Sequence, residues 1–322
     1  MAAASDLYPL ELCDLRQVSV GELDRLLIEE IDVWARDLSW DFRPSAELVR
    51  RYVQMQSLTG FALRVRGELV GYAYQVCDER KGLIGDFYVR PTPQSPSNEM
   101  ALLGTVVDSL MKTPGVRRIE SQLMMLRTPL NSPLPFSRYS TRHDRYFMDI
   151  GRYEIEALSF REVSHRVRIQ PWNDRMHEEA AHVISAAYRG HVDSEINDQY
   201  RSIPGARRFI TNIVRFPGCG IFSGQGSCVA IDEHSGRVCG VCLTSAVSES
   251  AGHITQLCVL PGVRGSHIGY ALIRTSLTSL VSMGYSSASL TVTCTNIDAV
   301  RLYERLGFHI RTAFPALVWE DF

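Results

Sequence analysis

The sequence predicts an α/β (α+β) chain made of two tandem domains of the same kind, and three observations carry this prediction. A length of 322 residues favours two domains over one. Two stretches typical of a β-hairpin closed by a proline, Gly67–Pro91 and Gly236–Pro261, resemble each other along their length. Each is followed by a helical pattern and a strand-like run, so both halves have the same order of elements.

The offset between the two hairpins is nearly constant. Gly240 follows Gly71 by 169 residues, and Pro261 follows Pro91 by 170. Self-similarity at one long spacing indicates a duplicated domain. Chance similarity between two hairpins is the alternative, and the shared order of the later elements argues against it.

In the first half, the β-rich stretch "LELCDLRQV" and the helical stretch "VGELDRLLIEEIDVWARDL" precede the hairpin. After it, Met100, Leu103 and Leu110 recur at helical spacing, and Asn98 is a suitable residue to cap that helix. A strand is expected from Arg117 to Leu126.

The second half begins with the β-rich stretch "HRVRIQPW" and two helical stretches, "DRMHEEAAHVISAAYRG" and "GARRFITNIVRF". After its hairpin we expect a helix through Leu272 and Leu280 and then the strand "SSASLTVT". We place the domains at 1–160 and 161–322. Since no Gly/Ser linker joins them, we expect the halves to pack together.

Composition excludes several classes of function. Thirty-four Lys and Arg against 36 Asp and Glu give a net charge of −2, so no nucleic-acid or membrane partner is expected. There is no run of about 18 apolar residues, and the first residues show neither a basic nor an apolar signal region. We therefore expect a cytoplasmic protein, either monomer or homodimer.

Cys239 and Cys242 form a C-x-x-C pair, which could indicate thiol redox chemistry or a metal site. The apolar residues around the pair predict a strand, whereas a redox pair sits at a helix start. Residues three apart in a regular strand point to opposite faces, and no second pair completes a zinc site. We expect two structural cysteines and no metal.

Two motifs in the second half carry a family resemblance. The first reads Arg264-Gly265-Ser266-His267-Ile268-Gly269, between the strand "HITQLCVLP" and a helix. The second combines Asn296, Ala299, Leu302-Tyr303 and Gly307-Phe308. In this order, after a β-hairpin, they resemble the GCN5-related N-acetyltransferase (GNAT) superfamily over roughly residues 163–319. The two-domain architecture is similar to that of mycothiol synthases.

The resemblance implies that each half has a mixed, mostly antiparallel central sheet flanked by helices, and that acetyl-CoA is the cosubstrate. Amides at a helix start, aided by the helix dipole, suit a pyrophosphate. By resemblance, the strand residues would pair with the pantetheine arm, and the loop amides would hold the pyrophosphate. The residues expected at the cofactor are Leu257, Cys258, Val259, Arg264, Gly265, Ser266, His267, Ile268, Gly269, Tyr270, Asn296 and Tyr303.

His267 departs from the family, which prefers glycine at this position. Because the position mainly needs a backbone N–H, histidine can serve there. We expect its side chain to be harmless if the local φ is negative, and a His267→Gly change to alter acetyl-CoA affinity little.

Tyr303 is the predicted catalytic acid, since a phenol can protonate a departing thiolate. The alternative is an ordinary apolar-face aromatic beside Val300 and Leu306. Asn296 would cap this helix and contact the cofactor. For the base the sequence offers His253, whose usual pKa is suitable, and Gln256, which could only position a water. Family members without an assigned base also exist.

The first half is predicted to have lost cofactor binding. Its loop "RPTPQSPSNEM" has three prolines and no glycine, and proline has no N–H to donate. Aligned on Gly151 and Gly307, "YFMDIGR" puts Phe147 where the second half has Tyr303. This half would complete the substrate cleft or stabilise the catalytic half.

The leading hypothesis is an acyltransferase that moves the acetyl group of acetyl-CoA to the amine of a small molecule or peptide. A non-catalytic acyl-CoA-binding or regulatory protein is the alternative, and redox chemistry at the cysteines is a weaker third. The acceptor pocket would involve the stretch around Asp193, Glu195 and Asp198. These acids could attract a cationic amine, although a solvated acidic loop is the expected structure.

Overall fold

This computed structural model describes residues 10–78, 80–92, 94–216, 218 and 220–322. The helices are α1 (Val20–Leu38), α2 (Arg43–Gln54), α3 (Ser95–Met111), α4 (Arg152–Glu156), α5 (His177–Ala187), α6 (Asp193–Ile196), α7 (Ile203–Arg215), α8 (Ile268–Ser282) and α9 (Ile297–Arg305). Strands β1 to β7 are Leu10–Asp14, Gly60–Val65, Glu68–Asp78, Lys81–Val89, Arg118–Gln122, Ser140–Gly151 and Val167–Pro171. Strands β8 to β13 are Ile221–Phe222, Cys228–Asp232, Val238–Ala246, Ala251–Val259, Ser287–Thr293 and His309–Glu320.

The chain forms two compact units. Unit 1 comprises the residues up to Asp37, Phe42–Asp144 and Phe314–Phe322. Unit 2 comprises Leu38–Asp41 and Arg145–Ala313. These units divide the chain at Asp144/Arg145 and each takes in a distant segment. The boundary at residues 160/161 stays a prediction about the duplicated halves.

Unit 1 is a sheet in the order β1-β2-β3-β4-β5-β13. Its neighbours are antiparallel except β4 and β5, which run parallel. Helix α3 packs on one face through a fully buried apolar stripe that includes Leu103, Val107 and Leu110 and meets Ile119 and Trp319. The helical spacing in the sequence predicted this stripe, although α3 starts at Ser95, before the predicted cap Asn98.

Unit 2 is a sheet in the order β6-β12-β11-β10-β9-β7, with β8 on β10. Among its described pairs β11 and β12 run parallel and the others antiparallel. Helix α8 packs on one face, where Leu272 and Leu277 are buried, and α5 and α7 pack on the other through Ile184 and Ile210. The predicted fold class, a mixed and mostly antiparallel sheet flanked by helices in each half, is confirmed.

In both units the parallel strands separate partway along. Strands β11 and β12 pair from Ala251–Ser287 to Ile254–Leu290, and β11 then continues to Val259 without β12 beside it. Strands β4 and β5 pair from Lys81–Arg118 to Ile84–Ser121 before they separate in the same way. Each unit therefore has a wedge between its parallel strands.

The alignment of "YFMDIGR" with the Tyr303 helix is wrong. Residues 140–151 form β6, in which the neighbours Phe147 and Met148 are both fully buried. Side chains that alternate between two buried faces fit a central strand, and this part of β6 pairs with β12 of unit 2. In unit 1, residues 123–139 form turns and one short 3-10 helix, so no α-helix corresponds to α9.

The C-x-x-C pair lies on a strand as predicted, but its two cysteines share a face. The pairing of β10 with β9 shifts register between Val238 and Gly240, which is a β-bulge. Cys239 and Cys242 therefore both join the core beneath α8, while Val241 faces α5 and α7. Both thiols are free and buried.

Among the described residues, no helix is long and apolar enough to cross a membrane. The same residues contain no group of three or more His, Cys, Asp or Glu side chains arranged to hold a metal ion.

Candidate active site

The edge of β11 that faces the wedge has free backbone groups. Leu260 donates its N–H to the carbonyl of Cys239 on β10 at 2.8 Å. Since hydrogen-bonding direction alternates along a strand, Leu257 and Val259 direct their N–H and C=O groups away from β10, into the wedge. The side chain of Cys258 is buried against α5, and burial raises the pKa of its thiol to about 12.

The loop after β11 leaves a run of amides at the start of α8. The helix makes its first internal hydrogen bond from Ala271 N–H to His267 O, at 3.0 Å. Within the described residues, none of the six N–H groups from Gly265 to Tyr270 has an acceptor. Gly265 has φ +78°, the left-handed conformation that turns successive amides toward one side. Such a set of donors suits an anion.

His267 also lies in the left-handed region, with φ 64° and ψ 10°, so the condition of a negative φ, under which its side chain was expected to be harmless, is not met. Histidine is among the residues that adopt this conformation more often, at a cost of about 1 kcal/mol. Its side chain is exposed, and Nδ1 lies 3.2 Å from the carbonyl oxygen of Glu162. The position keeps its amide, and the histidine strains the backbone slightly.

Side chains of the loop fix its shape. Arg264 donates from Nη2 to the carbonyl of Ala187, at the end of α5, at 2.6 Å. Ser266 donates from Oγ to the carbonyl of Val263 at 2.5 Å. Tyr270 is buried and donates its hydroxyl to Ser159 O at 2.6 Å. Of these three predicted cofactor residues, Ser266 and Tyr270 leave their amides unbonded, whereas the N–H of Arg264 donates to Pro261 O at 3.3 Å. All three side chains hold the loop to the protein.

Tyr303 lies on α9, which Asn296 caps as predicted by accepting the N–H of Ala299 at 3.3 Å. The Tyr303 ring packs edge-on against Phe308, with 5.8 Å between ring centroids. Burial raises the pKa of Tyr303 well above its usual range, and the negative charge of Asp193 raises it further. The phenol therefore keeps its proton at neutral pH, as a proton donor must.

Gln256 is buried among tyrosine hydroxyls. It donates from Nε2 to Tyr188 OH at 2.8 Å and accepts from Tyr200 OH at 3.2 Å. The two tyrosine rings stack with centroids 4.4 Å apart. Gln256 thus positions two phenols, which is a different task from the predicted one of holding a water.

His253 is surrounded by aromatic rings in the core. Its ring stacks on Phe147, with centroids 6.3 Å apart, and meets the edge of Trp40 at 4.9 Å. Nδ1 lies 2.9 Å from Ser289 Oγ. Burial lowers the pKa of His253 to about 3, and the charge of Arg145 contributes. Surroundings that oppose protonation favour a structural role, so the predicted role as a base loses support.

His191 is not among the site residues predicted from the sequence, and Asp193 is predicted to lie in a solvated loop. Asp193 is instead largely packed, with 13% of its side chain exposed, and accepts a hydrogen bond from Thr293 Oγ1 at 2.5 Å. Asn296 Nδ2 lies 3.2 Å from His191 Nε2. These contacts join residues about 100 positions apart, and a local pattern carries no sign of them.

The corresponding loop of unit 1 offers few donors. Thr92 donates its N–H to Ser95 Oγ at 2.6 Å, and Ser95 donates its own N–H to Thr92 O at 3.0 Å. Pro91 and Pro96 have no N–H. The guanidinium of Arg90 is bound by Glu29 and Glu68. This closed arrangement agrees with the expectation that the first half does not bind the cofactor.

Residues 195–308 match the acetyltransferase (GNAT) family. No curated protein sequence matches the chain. Among solved structures, the chain is similar to a GCN5-related N-acetyltransferase from Sphaerobacter thermophilus, with a TM-score of 0.61, 16% identity, and coverage of 98% of this chain and 96% of that one.

A tandem GNAT protein from the clavulanic acid biosynthesis pathway is similar with a TM-score of 0.54 and 12% identity, over 97% of this chain and 98% of that one. A GCN5-related glucosamine N-acetyltransferase region of a fungal multi-domain GH3 β-N-acetylglucosaminidase gives a TM-score of 0.59 at 14% identity, over 99% of this chain and 39% of that one. These likenesses show a shared fold along nearly the whole chain.

Proposed function

Because residues 195–308 match the GNAT acetyltransferase family, we propose that this protein is an acetyl-CoA-dependent N-acetyltransferase acting on the amine of a small molecule or peptide. The observation that carries the proposal is the run of six unbonded amides, Gly265 to Tyr270, at the start of α8. It opens beside the wedge between β11 and β12, where strand β11 has free backbone groups.

The residues present fit acetyl-CoA. The amides of the loop and the dipole of α8 would hold the pyrophosphate, and the backbone of Leu257 and Val259 would pair with the pantetheine amides. Acetyl-CoA supplies an activated acetyl thioester, whose acyl group goes to the amine while the CoA sulfur leaves and gains a proton. The acceptor enters as an ammonium ion, so the balanced reaction gives an amide, the CoA thiol and one released proton.

Tyr303 is the residue proposed to give the leaving sulfur its proton. Its phenol is protonated at neutral pH, because burial opposes the charged phenolate. Positioned acid catalysis of this kind is typically worth about 10²–10⁴-fold in rate. Asn296 fixes the first turn of α9 and so sets where this phenol lies.

Removal of the amine proton is assigned to water. His253 stays neutral in its aromatic surroundings and Gln256 is an amide, so neither suits proton uptake. The overall rate should then rise with pH, because the bound ammonium ion gives up its proton to water more readily at higher pH.

Calorimetry with acetyl-CoA tests the proposal. We expect one acetyl-CoA per chain, and about tenfold weaker binding when Gly269→Pro removes one amide from the first helical turn, where proline is tolerated. Gly269→Ala is the matched control: it keeps the amide, and its Cβ would lie 3.7 Å from Val259, an ordinary contact. Equal affinity for both variants, or two molecules bound per chain, would contradict the proposed site.

Turnover separates the transferase from the alternative. Release of CoA with at least one amine from a panel of amines, amino acids, peptides and aminoglycosides is the expected result. Tight binding of acetyl-CoA with no release for any amine would support the non-catalytic acyl-CoA-binding protein.

A further inference from the structure

We propose that unit 2 has a second binding site, a cavity beside α8, and that this cavity takes a carboxylate with an apolar body. The cavity has a volume of about 450 Å³, which is in the range of small-molecule sites. It lies between α8, strand β7 and the joining segment, residues 157–166 between α4 and β7. The ligand is neither acetyl-CoA nor the acceptor, so this inference does not rest on the proposed function.

The joining segment is held at both ends, so the space beneath it is built into the fold. At the first end, Arg274 of α8 donates from Nε to Leu158 O at 3.0 Å. At the second end, His165 Nε2 lies 2.5 Å from Asp232 Oδ2, at the end of β9. The segment therefore spans from α8 to the edge of the sheet and closes one side of the cavity.

The charged groups that line the cavity favour an anion. In the described part of the chain, no carboxylate lies within ion-pair distance of Arg161, Arg166 or Arg274, all of which line it. The carboxylates of Glu162 and Glu233 line it as well. Three guanidinium groups against two carboxylates leave one positive charge in excess. A single carboxylate balances this excess, whereas a phosphate monoester carries nearly two negative charges.

Two of the guanidinium groups are held in position by contacts that leave donors available. Leu158 O occupies Nε of Arg274, which leaves its two Nη atoms for a ligand. The guanidinium carbon of Arg161 lies 4.7 Å from the centroid of the Tyr270 ring, a cation–π contact that uses none of its N–H groups. Paired N–H donors of a guanidinium match the two oxygens of a carboxylate.

The rest of the cavity is suited to an apolar body. Val163, Val167 and Ile169 line it and pack against the core beneath α8. Phe160 also lines it, with 77% of its surface exposed. A ligand with a hydrocarbon or aromatic body would cover this ring and remove apolar surface from water, which is favourable.

The cavity is on the other side of the sheet order from the proposed cofactor site. The wedge lies between β11 and β12, whereas the cavity borders β7, which lies beyond β10 and β9. The two sites approach each other only at the joining segment, where Ser164 donates its N–H to Ser266 O at 3.2 Å. We therefore expect the carboxylate and CoA to bind together.

Calorimetric titration of the full chain tests the proposal. The probes are straight-chain carboxylates from butanoate to decanoate, the primary alcohol of each length, and inorganic phosphate. We expect wild type to prefer each carboxylate to its alcohol and to bind longer carboxylates more tightly. Phosphate has no apolar body and should bind at least tenfold more weakly than the longest carboxylate.

Two variants test the guanidinium groups. Arg274→Gln and Arg166→Gln should each weaken carboxylate binding about tenfold and leave the affinity for the alcohols unchanged. Arg168→Gln is the matched control. Arg168 lies between Val167 and Ile169 on β7, so its side chain points to the other face of the strand and its loss should change nothing.

A third variant tests the cavity itself. Thr275 lines it from α8, and Thr275→Trp would place a large ring in the space that the ligand needs. This variant should weaken the binding of carboxylates and alcohols alike. Thermal unfolding of every variant shows that the fold is retained.

The inference fails if affinity does not depend on chain length, if phosphate binds as well as the carboxylates, or if both arginine variants bind like wild type. Displacement of the carboxylate by saturating CoA would also overturn it, since the cavity would then belong to the cofactor. A protein that binds the carboxylate through these arginines but no acetyl-CoA would disprove the proposed function and keep this site. A protein that binds acetyl-CoA and no carboxylate would do the reverse.

Discussion

The loop after β4 in unit 1 and the loop after β11 in unit 2 both follow parallel strands that separate after four paired positions. Among the residues that the structure describes, only the second loop offers a run of six consecutive free amides. Gly265 and Gly269 open the second loop, whereas Pro91, Pro96 and the hydroxyl of Ser95 remove or occupy donors in the first. The wedge is therefore a property of the fold, and the capacity for an anion depends on a few residues at the helix start.

The two sheets also differ in the residue five positions before the closing proline, Asp86 in unit 1 and Gln256 in unit 2. Tyr72 OH lies 2.7 Å from Asp86 Oδ2 and 2.7 Å from Glu30 Oε2. One hydroxyl has one proton, so one of the two carboxyl groups must itself be protonated to complete both hydrogen bonds. Unit 1 thus uses this position for an internal acid pair, while Gln256 holds the tyrosines of the candidate site.

The largest expected effect tests the proposed catalytic acid, Tyr303, which lies in unit 2. Tyr303→Phe keeps the ring beside Phe308 but cannot donate a proton, and in the described part of unit 1 no α-helix corresponds to α9. We expect kcat for CoA release to fall about 10²–10⁴-fold with acetyl-CoA affinity nearly unchanged. Stopped-flow or steady-state assays of CoA release measure this. Equal kcat values for wild type and variant would remove Tyr303 from its role.

The next largest expected effect is the loss of stability of unit 2 at acidic pH. The folded pKa of His253, about 3, lies below its usual 6.5, so stability is complete above pH 6.5 and is lost as pH falls below it. Between pH 7 and 5 we expect a loss of about 2 kcal/mol around β11 and β12. Hydrogen exchange of these strands, corrected for intrinsic rates, measures it. A His253→Gln variant that keeps the same pH slope would contradict the assignment.

Unit 1 should respond in the opposite direction. Burial raises the pKa of Asp86 to about 6 and that of Glu30 well above its usual range. A carboxyl group whose pKa is raised by folding stabilises the folded state at low pH. It loses that contribution as pH rises through the folded pKa. We expect β3 and β4 to lose about 1 kcal/mol from pH 5 to pH 7.

The same exchange experiment tests this on Asp86→Asn, which can still accept from Tyr72 and should flatten the slope. Glu30, the other acid of the pair, and the phenols of Tyr72 and Tyr74 remain as titratable groups in this variant. A slope of the same sign in both units would show that the acid pair does not distinguish them.

The smallest effect concerns the strained residue of the intact loop. His267→Gly removes a side chain from a left-handed position, so we expect a gain of about 0.5–1 kcal/mol in unfolding free energy. Acetyl-CoA affinity should change only a few-fold, because the amide is retained. Chemical denaturation and calorimetry measure the two quantities. A sharp rise in affinity would mean that histidine impairs the loop.

Local sequence patterns were sufficient to predict several helices and strands and the loop of the candidate site. Helix α1 spans the helical stretch "VGELDRLLIEEIDVWARDL" itself, Asn296 caps α9, and the strand-loop-helix order around Arg264 appears as expected. Turn glycines, caps and apolar spacing act over a few residues, so they can be recognised without knowledge of the fold.

Other features were misjudged because distant residues decide them. The alternation of side chains along "YFMDIGR" is typical of a strand. The alignment on Gly151 matched this stretch to a helix instead. The bulge at Val238 and Gly240 comes from pairing with β9, and it placed both cysteines on one face. The φ of His267 follows from how the loop joins α8, which the residue type alone does not determine.

The sequence by itself determined the duplication, the element order and the residues of the amide loop, because repeated patterns and helix-start signals are local. Only the tertiary structure decided that β13 completes unit 1 while β6 lies in unit 2, and that Asp193 meets Thr293 and lies near Tyr303. Such contacts are set by strand pairing and packing across about 100 or more positions, where the identity of one partner does not constrain the other in a single sequence.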